Sequence, residues 1–517
     1  MVLWFLILIP MLAAPLAWIG QQWSRHVARW IAIGALATDL CLALLLWSQD
    51  HSGQVSGHGS WLFESHTSWI PLWGISLHLG LDGLSLVLIL LTAFLGLIAI
   101  VASWTEIQSR VGFFHCNVLL ALGGVIGVFL AIDLFLFFFF WEVMLVPMYL
   151  LIAVWGHANR RYASFKFFLF TQAGSLVLFV SIITLAFLHQ QATGRPSFDY
   201  ADLMRLTLSK EMAWWLMLAF FIGFVVKLPA PPFHTWLPDT YTEAPTGASI
   251  ILAGLLAKTG AYGLLRFTVP LFPEVMSEFA PIAMGLGAIG ILYGAVLACS
   301  QTDLKRLVAY SSLSHMGFIL LGAFAGTELA LQGVVMQLVA HGLSTGALFM
   351  LAGALYERFQ TTDMRQMGGL WGVIPRGASM ALFFACASLG LPGLANFIGE
   401  FLVLFGSYSA QPMVTILASI GMVMAAVYSL GMMQHTSFGP QRETRLAPDL
   451  SNVVFGALLL MAALQVLLGL YPRPVLTTTR PVMETLVQPA VPSSHLTHPP
   501  SDQMPSANLF TSHVSSP

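Results

Sequence analysis

Charged residues are scarce in this 517-residue chain. They make up 9% of it, against roughly 25% in a soluble globular protein, which excludes an ordinary water-soluble domain. Neither sign dominates: 21 Lys and Arg stand against 23 Asp and Glu. A nearly neutral chain has no electrostatic footprint for a phosphate backbone, so no nucleic acid is expected as a partner. Cysteine is equally sparse. Cys41, Cys116, Cys299 and Cys386 lie scattered in apolar segments with no Cys-x-x-Cys spacing, and read as small buried hydrophobes, not as a disulfide or metal framework. A P-loop is also missing. Gly285-Leu-Gly287-Ala-Ile-Gly290 has the spacing of a dinucleotide fingerprint, but no strand precedes it within its apolar run. It therefore reads as helix packing. Lys258-Thr259-Gly260 matches one element of a penicillin-binding site whose other elements are missing.

Apolar length, by contrast, is abundant. The chain is 57% hydrophobic, and apolar runs close to the length of a bilayer-spanning helix recur throughout. The expected fold is an all-α polytopic membrane protein with about fourteen spans. They run near 2–20, 28–48, 83–103, 113–131, 133–155, 166–188, 212–236, 247–267, 279–299, 304–324, 328–354, 379–405, 411–434 and 452–472. The first run lacks a basic leader and a small-residue cleavage site, and reads as a retained span. Segment 49–82 reads as a polar loop. The stretch from about 475 to 517, rich in Pro, Ser, Thr and His, reads as a disordered tail dispensable for transport.

Positive charge sorts the connections. Between spans, the even-numbered connections hold only Arg195, Arg205, Lys210 and Arg266, while the odd-numbered ones hold the rest, from Arg25 to Arg445. That bias places the odd connections in the cytoplasm and both termini outside. Two spans look interrupted. The seventh contains Lys227-Leu-Pro229-Ala-Pro231-Pro232 and the twelfth contains Gly390-Leu-Pro392-Gly393 ahead of Glu400. Proline removes a backbone donor, and freed carbonyls survive at membrane depth only where protein or water satisfies them. Five crossings separate the breaks, so the two segments run in opposite senses. This predicts two inverted five-helix repeats, spans 4–8 (113–267) and spans 9–13 (279–436), after an N-terminal part (1–112) and before a last helix (452–472). The competing reading is two simple proline kinks.

Four charges lie inside membrane-length apolar segments: Glu142, Lys227, Lys258 and Glu400. Each costs roughly 2.5–3.5 kcal/mol at the bilayer centre, so they point to movement of an ion, with a proton the simplest. Glu142 follows a run of phenylalanines with no polar neighbour in its own span, and Lys227 is its candidate partner, as a proton-sharing pair or as a static ion pair. Lys258 sits mid-span, and Arg266 is expected to take the interface position. A lysine shut away from water can exchange protons near neutrality, which a solvated one does not. His315 and His341, in neighbouring spans, are either proton relays or packed histidines. Ser311, Ser312, Ser314 and Ser344 either line a hydrated path or bond their own helices. Asp39 lies within the second span without an evident role, and Asp133 reads as interfacial.

These stretches resemble the antiporter-like membrane subunits of the bacterial proton-pumping NADH–quinone oxidoreductase, complex I. The resemblance rests on Gly124 to Asp133, Phe137-Phe-Phe-Phe-Trp-Glu142, Lys227-Leu-Pro229 and His234-Thr-Trp-Leu-Pro-Asp239. It continues through Ala244-Pro-Thr246, Leu252-Ala-Gly254 leading to Lys258, Ala309 to Phe318, Ala340-His-Gly342 and Asn396-Phe-Ile-Gly-Glu400-Phe401. It covers all but the last forty or so residues. The resemblance implies that Glu142 and Lys227 form a coupling pair, that Lys258 is the central proton carrier, that His315 and His341 link it to solvent, and that Glu400 is the site of the twelfth helix. Related subunits usually place a lysine at that last position. The resemblance also implies partners: the other membrane subunits, chiefly two sister antiporter-like subunits, and membrane lipid. It implies a multi-pass place in the bacterial inner membrane. This chain is expected to hold no cofactor, with NAD, FMN, iron–sulfur clusters and quinone carried by partner subunits. One departure stands out. The family loop usually reads Leu-Pro-Asp-Ala-His, but Thr240-Tyr241 follow Asp239 here, which puts an essential role for that histidine in doubt. Two other readings of the same residues are a subunit of a multi-subunit cation/proton antiporter, and a membrane haem with His315 and His341 as axial ligands.

Overall fold

The computed structural model of the chain describes residues 2–50, 61–440 and 448–487. Eleven of its helices are individually long and apolar enough to cross a membrane. Three further crossings complete the fourteen. They are the seventh (Lys210–Lys227, then Trp236–Glu243), the tenth (Leu304–Ala323) and the twelfth (Pro375–Ser388, then Ala395–Tyr408).

Contacts between connections show that successive spans alternate in direction. At one end, odd connections meet odd: the Asn159 amide donates to Glu243 at 2.8 Å, the Thr246 amide to Glu106 at 2.9 Å, and Lys305 Nζ to His157 Nε2 at 2.8 Å. At the other end, even connections meet even: Lys210 pairs with Glu278, Arg266 with Asp82, and Asp133 with Asp199 through the backbone. A miscounted span would have mixed the two sets. Arg442 and Arg445 lie outside the described residues.

Both expected breaks are present, and each has a local cause. In the seventh span the helix stops at Lys227, before Pro229, Pro231 and Pro232. The Trp236 indole N–H donates to the Val226 carbonyl at 2.8 Å, which satisfies a carbonyl that would otherwise be stranded in the bilayer. In the twelfth span the break holds Gly390 and Gly393 at φ +77° and +98°, a left-handed backbone that favours glycine. Small residues also set the helix crossings. A side chain on Gly399 would strike the Gln337 backbone nitrogen at 2.7 Å, so the eleventh and twelfth spans touch backbone to backbone there. Gly287, from the discounted dinucleotide pattern, faces Leu321 N and Gly317 O at 2.8 and 2.9 Å from an added Cβ. It is a helix-packing glycine.

The structure departs from the sequence reading at four places. The described part of segment 49–82 is an antiparallel hairpin, Phe63–Ile70 (β1) and Ile75–Leu81 (β2). Its second strand carries the period-two alternation Ile75, Leu77, Leu79, Leu81 that signals a strand, and Ser76, His78 and Gly80 between them are buried too. The expected disordered tail begins as a helix, Arg473–Val487. Val475, Thr478, Thr479, Val482 and Met483 form its buried stripe at helical spacing, and Thr478 accepts from the Trp47 indole at 2.8 Å. Residues 488–517 lie outside the described residues. Arg266 does not reach for the interface. It is 6% exposed, pairs with Asp82, and lies 4.8 Å from the Trp61 ring centroid. Asp133 is fully buried. It caps the fifth span through the Phe135 and Leu136 amides and accepts from the Ser76 amide and hydroxyl at 2.9 and 3.0 Å.

Removing one partner of a buried ion pair strands the other charge, at a cost of about 3–5 kcal/mol. Asp82→Asn is therefore expected to lower the thermal unfolding temperature of the solubilised protein sharply. Asp82→Asn with Arg266→Gln is expected to recover much of that loss.

Candidate functional site

The site is built around the eighth span, Thr246–Leu271. Its helix widens into a π-turn at Leu252–Leu256, one of the irregularities that recur at functional positions in helices. The widened turn leaves carbonyls to be satisfied from outside the ordinary ladder. The Tyr241 hydroxyl donates to the Leu252 carbonyl at 3.1 Å, and the Lys258 ammonium donates to the Ala253 carbonyl. Tyr241 is one of the two residues at which the loop departs from the family pattern. Gly254 and Gly342 face each other where the eighth and eleventh spans cross, an added Cβ on Gly342 coming 3.3 Å from the Gly254 carbonyl. That close approach brings Lys258 to His341.

From there a row of polar side chains runs through the interior. Lys258 Nζ lies 2.7 Å from His341 Nδ1, and His341 Nε2 lies 3.0 Å from the Ser312 hydroxyl. The His341 and His315 ring centroids are 5.4 Å apart, edge to face. His315 Nδ1 lies 2.7 Å from Glu400 Oε1, and its Nε2 meets Ser388 at 3.2 Å and Tyr428 at 3.4 Å. Gln337 donates to Glu400 Oε1 at 3.1 Å, while Glu400 Oε2 is buried without a partner. Lys258, His341 and Glu400 are 0% exposed and His315 is 2% exposed. A tautomer with the proton on Nε2 lets His341 accept from Lys258, and one with the proton on Nδ1 lets His315 donate to Glu400. Four of the six nominated residues thus form one contact chain, broken only by the step between the two rings.

The other two are arranged differently. Lys227 is 1% exposed and donates to the Trp141 carbonyl at 3.2 Å, with its nitrogen 3.6 Å from the Trp141 ring centroid. Glu142 is the next residue, and one of its oxygens is buried with no hydrogen-bond partner. No ion pair joins Glu142 to Lys227 among the described residues. They interact through space without pairing, and the lysine's direct contacts are a carbonyl and a ring face.

Of the nominated serines, Ser312 reaches His341 and Ser344 accepts from Asn396 at 3.2 Å. Ser311 bonds its own helix and Ser314 bonds the ninth span. Sequence reasoning missed Gln337, Ser388, Tyr428 and Gln465, the last of which donates to the Ala340 carbonyl and to Asn396. Gln337 and Gln465 were visible as lone polar residues in apolar spans. Asp39 is fully buried with both oxygens unpartnered, and the structure supplies no account of it. The haem reading fits poorly, because the histidine nitrogens face Lys258, Ser312, Glu400 and Ser388 inside a packed core and share no open gap.

A polytopic bundle with two broken spans and a buried lysine–histidine–glutamate row defines an antiporter-like membrane subunit. The profile of the NADH:quinone oxidoreductase/Mrp antiporter transmembrane family matches residues 131–472. The chain is 52% identical to NADH-quinone oxidoreductase subunit M of Pseudomonas aeruginosa over 94% of its own length and 98% of the relative's. It is 49% identical to subunit M of Escherichia coli K12, over 96% and 100%. Its fold overlays a chain of respiratory complex I from Thermus thermophilus with a TM-score of 0.85 at 32% identity, covering 94% and 99% of the two chains. A chain of the Mrp complex from Dietzia shares the fold with a TM-score of 0.83 at 20% identity, covering 95% and 97%. The chain belongs to the NADH:quinone oxidoreductase/Mrp antiporter transmembrane family, and its similarity is to the members called subunit M.

Two predictions follow from the geometry. A Cβ on Gly390 would lie 3.1 Å from Glu400 Oε2, at a φ of +77°. Gly390→Val is expected to cost about 1–2 kcal/mol through the left-handed backbone alone, seen as a lower unfolding temperature, and to reduce proton pumping further by crowding Glu400. At the odd-connection end, burial and then the Lys305 ammonium hold His157 down at about 4. An unfolded histidine takes its proton near 6.5. The folded state resists that proton, so stability falls as pH drops below about 6.5 and levels off below about 4. The loss in unfolding temperature between pH 7 and pH 5 is expected to be smaller in His157→Gln.

Proposed function

We propose that this chain is a proton-translocating membrane subunit of NADH–quinone oxidoreductase. Protons move along Lys258, His341, His315 and Glu400, driven by quinone reduction in other subunits. The observation that supports this most is the contact row from the Lys258 ammonium to the Glu400 carboxylate, each step except the ring-to-ring one within hydrogen-bond reach. In this reading the subunit takes part in an enzyme without holding a redox centre. NAD, FMN, iron–sulfur clusters and quinone belong to partner subunits. Its neighbours are the two sister antiporter-like subunits and membrane lipid. The odd connections face the cytoplasm of a bacterial inner membrane, with both termini on the periplasmic side. Residues 113–267 and 279–436 act as the two inverted halves.

The unpaired arrangement of Glu142 and Lys227 supports a coupling role. A charge arriving from a neighbouring subunit would find the unpartnered Glu142 oxygen and change the field at Lys227. Lys227 in turn biases the proton on Lys258. A tight ion pair would have been self-neutralised and would respond less.

Glu142→Gln and Lys227→Met, examined in membrane vesicles, are each expected to cut proton pumping and NADH oxidation together by about tenfold, the equivalent of roughly 1.4 kcal/mol on the barrier. Native gels are expected to show the complex still assembled. Full pumping in both variants would sink the coupling assignment. Sodium-dependent exchange insensitive to NADH would support the antiporter reading instead.

A further inference from the structure

On the face that carries the even-numbered connections, three potential metal ligands converge where no role has been assigned. His66 on β1 and His78 on β2 stand directly opposite each other in the hairpin, so their side chains share one face. Asp199, in the connection between the sixth and seventh spans, reaches the same point. One donor atom from each of His66, His78 and Asp199 lies within 4.8 Å of the other two. The two histidine rings are 4.6 Å apart between centroids at an interplanar angle of 88°.

The surroundings suit a cation. His78 Nδ1 contacts Asp199 Oδ2, and His78 Nε2 lies 2.7 Å from Glu64 Oε1. A metal-bound imidazole characteristically donates its other N–H to a carboxylate, which fixes the tautomer and turns the free nitrogen to the metal. Glu64 stands in that position on Nε2, and an ion would take the place of the hydrogen that Nδ1 now shares with Asp199. The His66 ring is exposed and makes no hydrogen bond among the described residues, so turning it toward an ion gives up no existing bond. A tetrahedral zinc site asks for nitrogen or oxygen donors about 2.0–2.1 Å from the ion. Donor atoms within 4.8 Å of one another lie in the range that one ion could bridge once the side chains adjust and the His78–Asp199 hydrogen bond opens.

We propose that His66, His78 and Asp199 form a surface site for a divalent transition-metal cation of the zinc type, with Glu64 as the positioning residue and water in the fourth place. Imidazole donors select Zn2+ over Mg2+ or Ca2+, which prefer all-oxygen shells. A bound ion would tie the hairpin to the connection holding Asp199. That connection is anchored to the start of the fifth span by the Leu134 amide, which donates to the Phe198 carbonyl at 2.9 Å, and by the Asp133–Asp199 bridge. The ion would therefore stiffen the entry to the span that carries Glu142.

The test uses the whole solubilised complex, stripped with a chelator and then dialysed against micromolar Zn2+. Metal is counted by elemental mass spectrometry, and acylation of His66 by diethylpyrocarbonate is followed by peptide mass spectrometry. The expected result is one more zinc per complex in the wild type than in His66→Ala, whose exposed position leaves the fold intact. Zinc is also expected to shield wild-type His66 from acylation. Asp199→Asn should abolish that shielding, and Glu64→Gln should raise the zinc concentration it requires by about 10–100-fold. Equal zinc counts in wild type and His66→Ala, or acylation of wild-type His66 unaffected by zinc, would overturn the site. Equal protection by Mg2+ would overturn the assignment to a zinc-type ion.

Discussion

The Lys258 side-chain nitrogen lies in the middle of the bundle with no carboxylate paired to it among the described residues. It donates to the Ala253 carbonyl of the π-turn and to His341. A cation removed from water must be given back some of the solvation it lost, or it will neutralise. Much of the surrounding architecture serves that one requirement. The π-turn opens a carbonyl to the ammonium. The Gly254–Gly342 crossing admits the eleventh span closely enough for an imidazole to arrive. Tyr241 takes up the neighbouring Leu252 carbonyl, so the lysine does not have to serve both.

The charges divide into two kinds, and position decides which. Near the ends of the spans they are closed into direct pairs, as in Arg266 with Asp82, and in Lys166 and Arg306 on the two oxygens of Asp239. Such pairs fix the ends of helices, and their mutual attraction leaves little field for a third charge to exploit. In the interior, Lys227 and Lys258 make no direct ion pair among the described residues, although Glu142 acts on Lys227 through space. Lys227 leans on a carbonyl and the face of an indole, and Lys258 on a carbonyl and an imidazole. A neutral partner stabilises either protonation state less decisively than a carboxylate does. The interior lysines are thus held loosely as charges while being held tightly as side chains.

Much of this layout was legible in the sequence, for a physical reason. The bilayer forces near-continuous apolar runs, and against that background a lysine, a glutamate or a proline stands out. Glu142, Lys227, Lys258, Glu400 and both breaks were visible on that account. What escaped detection was whatever the bilayer does not constrain. The hairpin and the Arg473–Val487 helix lie beyond the apolar runs, where short alternating or amphipathic patterns compete with polar composition. The pairing of Arg266 with Asp82 joins residues 184 positions apart, and no local pattern reports such a contact. Which serines turn inward depends on the rotation of each helix, so Ser311 and Ser312 look alike in sequence and differ in the fold.

The chemistry at the two ends of the proposed row sets its thermodynamic character. One end is a cation when it holds the proton, and the other is an anion when it lacks one. Moving a proton from Lys258 to Glu400 therefore turns an ammonium and a carboxylate into an amine and an acid, both neutral. In a low-dielectric interior, separated opposite charges attract but each has lost its hydration, and the neutral forms gain relative to water. The transfer between the two ends therefore depends on how far the core between them is hydrated. Glu400 Oε2 has no hydrogen-bond partner among the described residues, and Gly390 stands beside it, where a Cβ would come within 3.1 Å. Water reaching that oxygen would supply a hydrogen bond that the protein does not. A lysine at position 400 would give a cation in its loaded state, and the transfer would then conserve charge instead of cancelling it. In the proposed row the glutamate would make the step sensitive to hydration, the variable that opening one side of a broken helix would control.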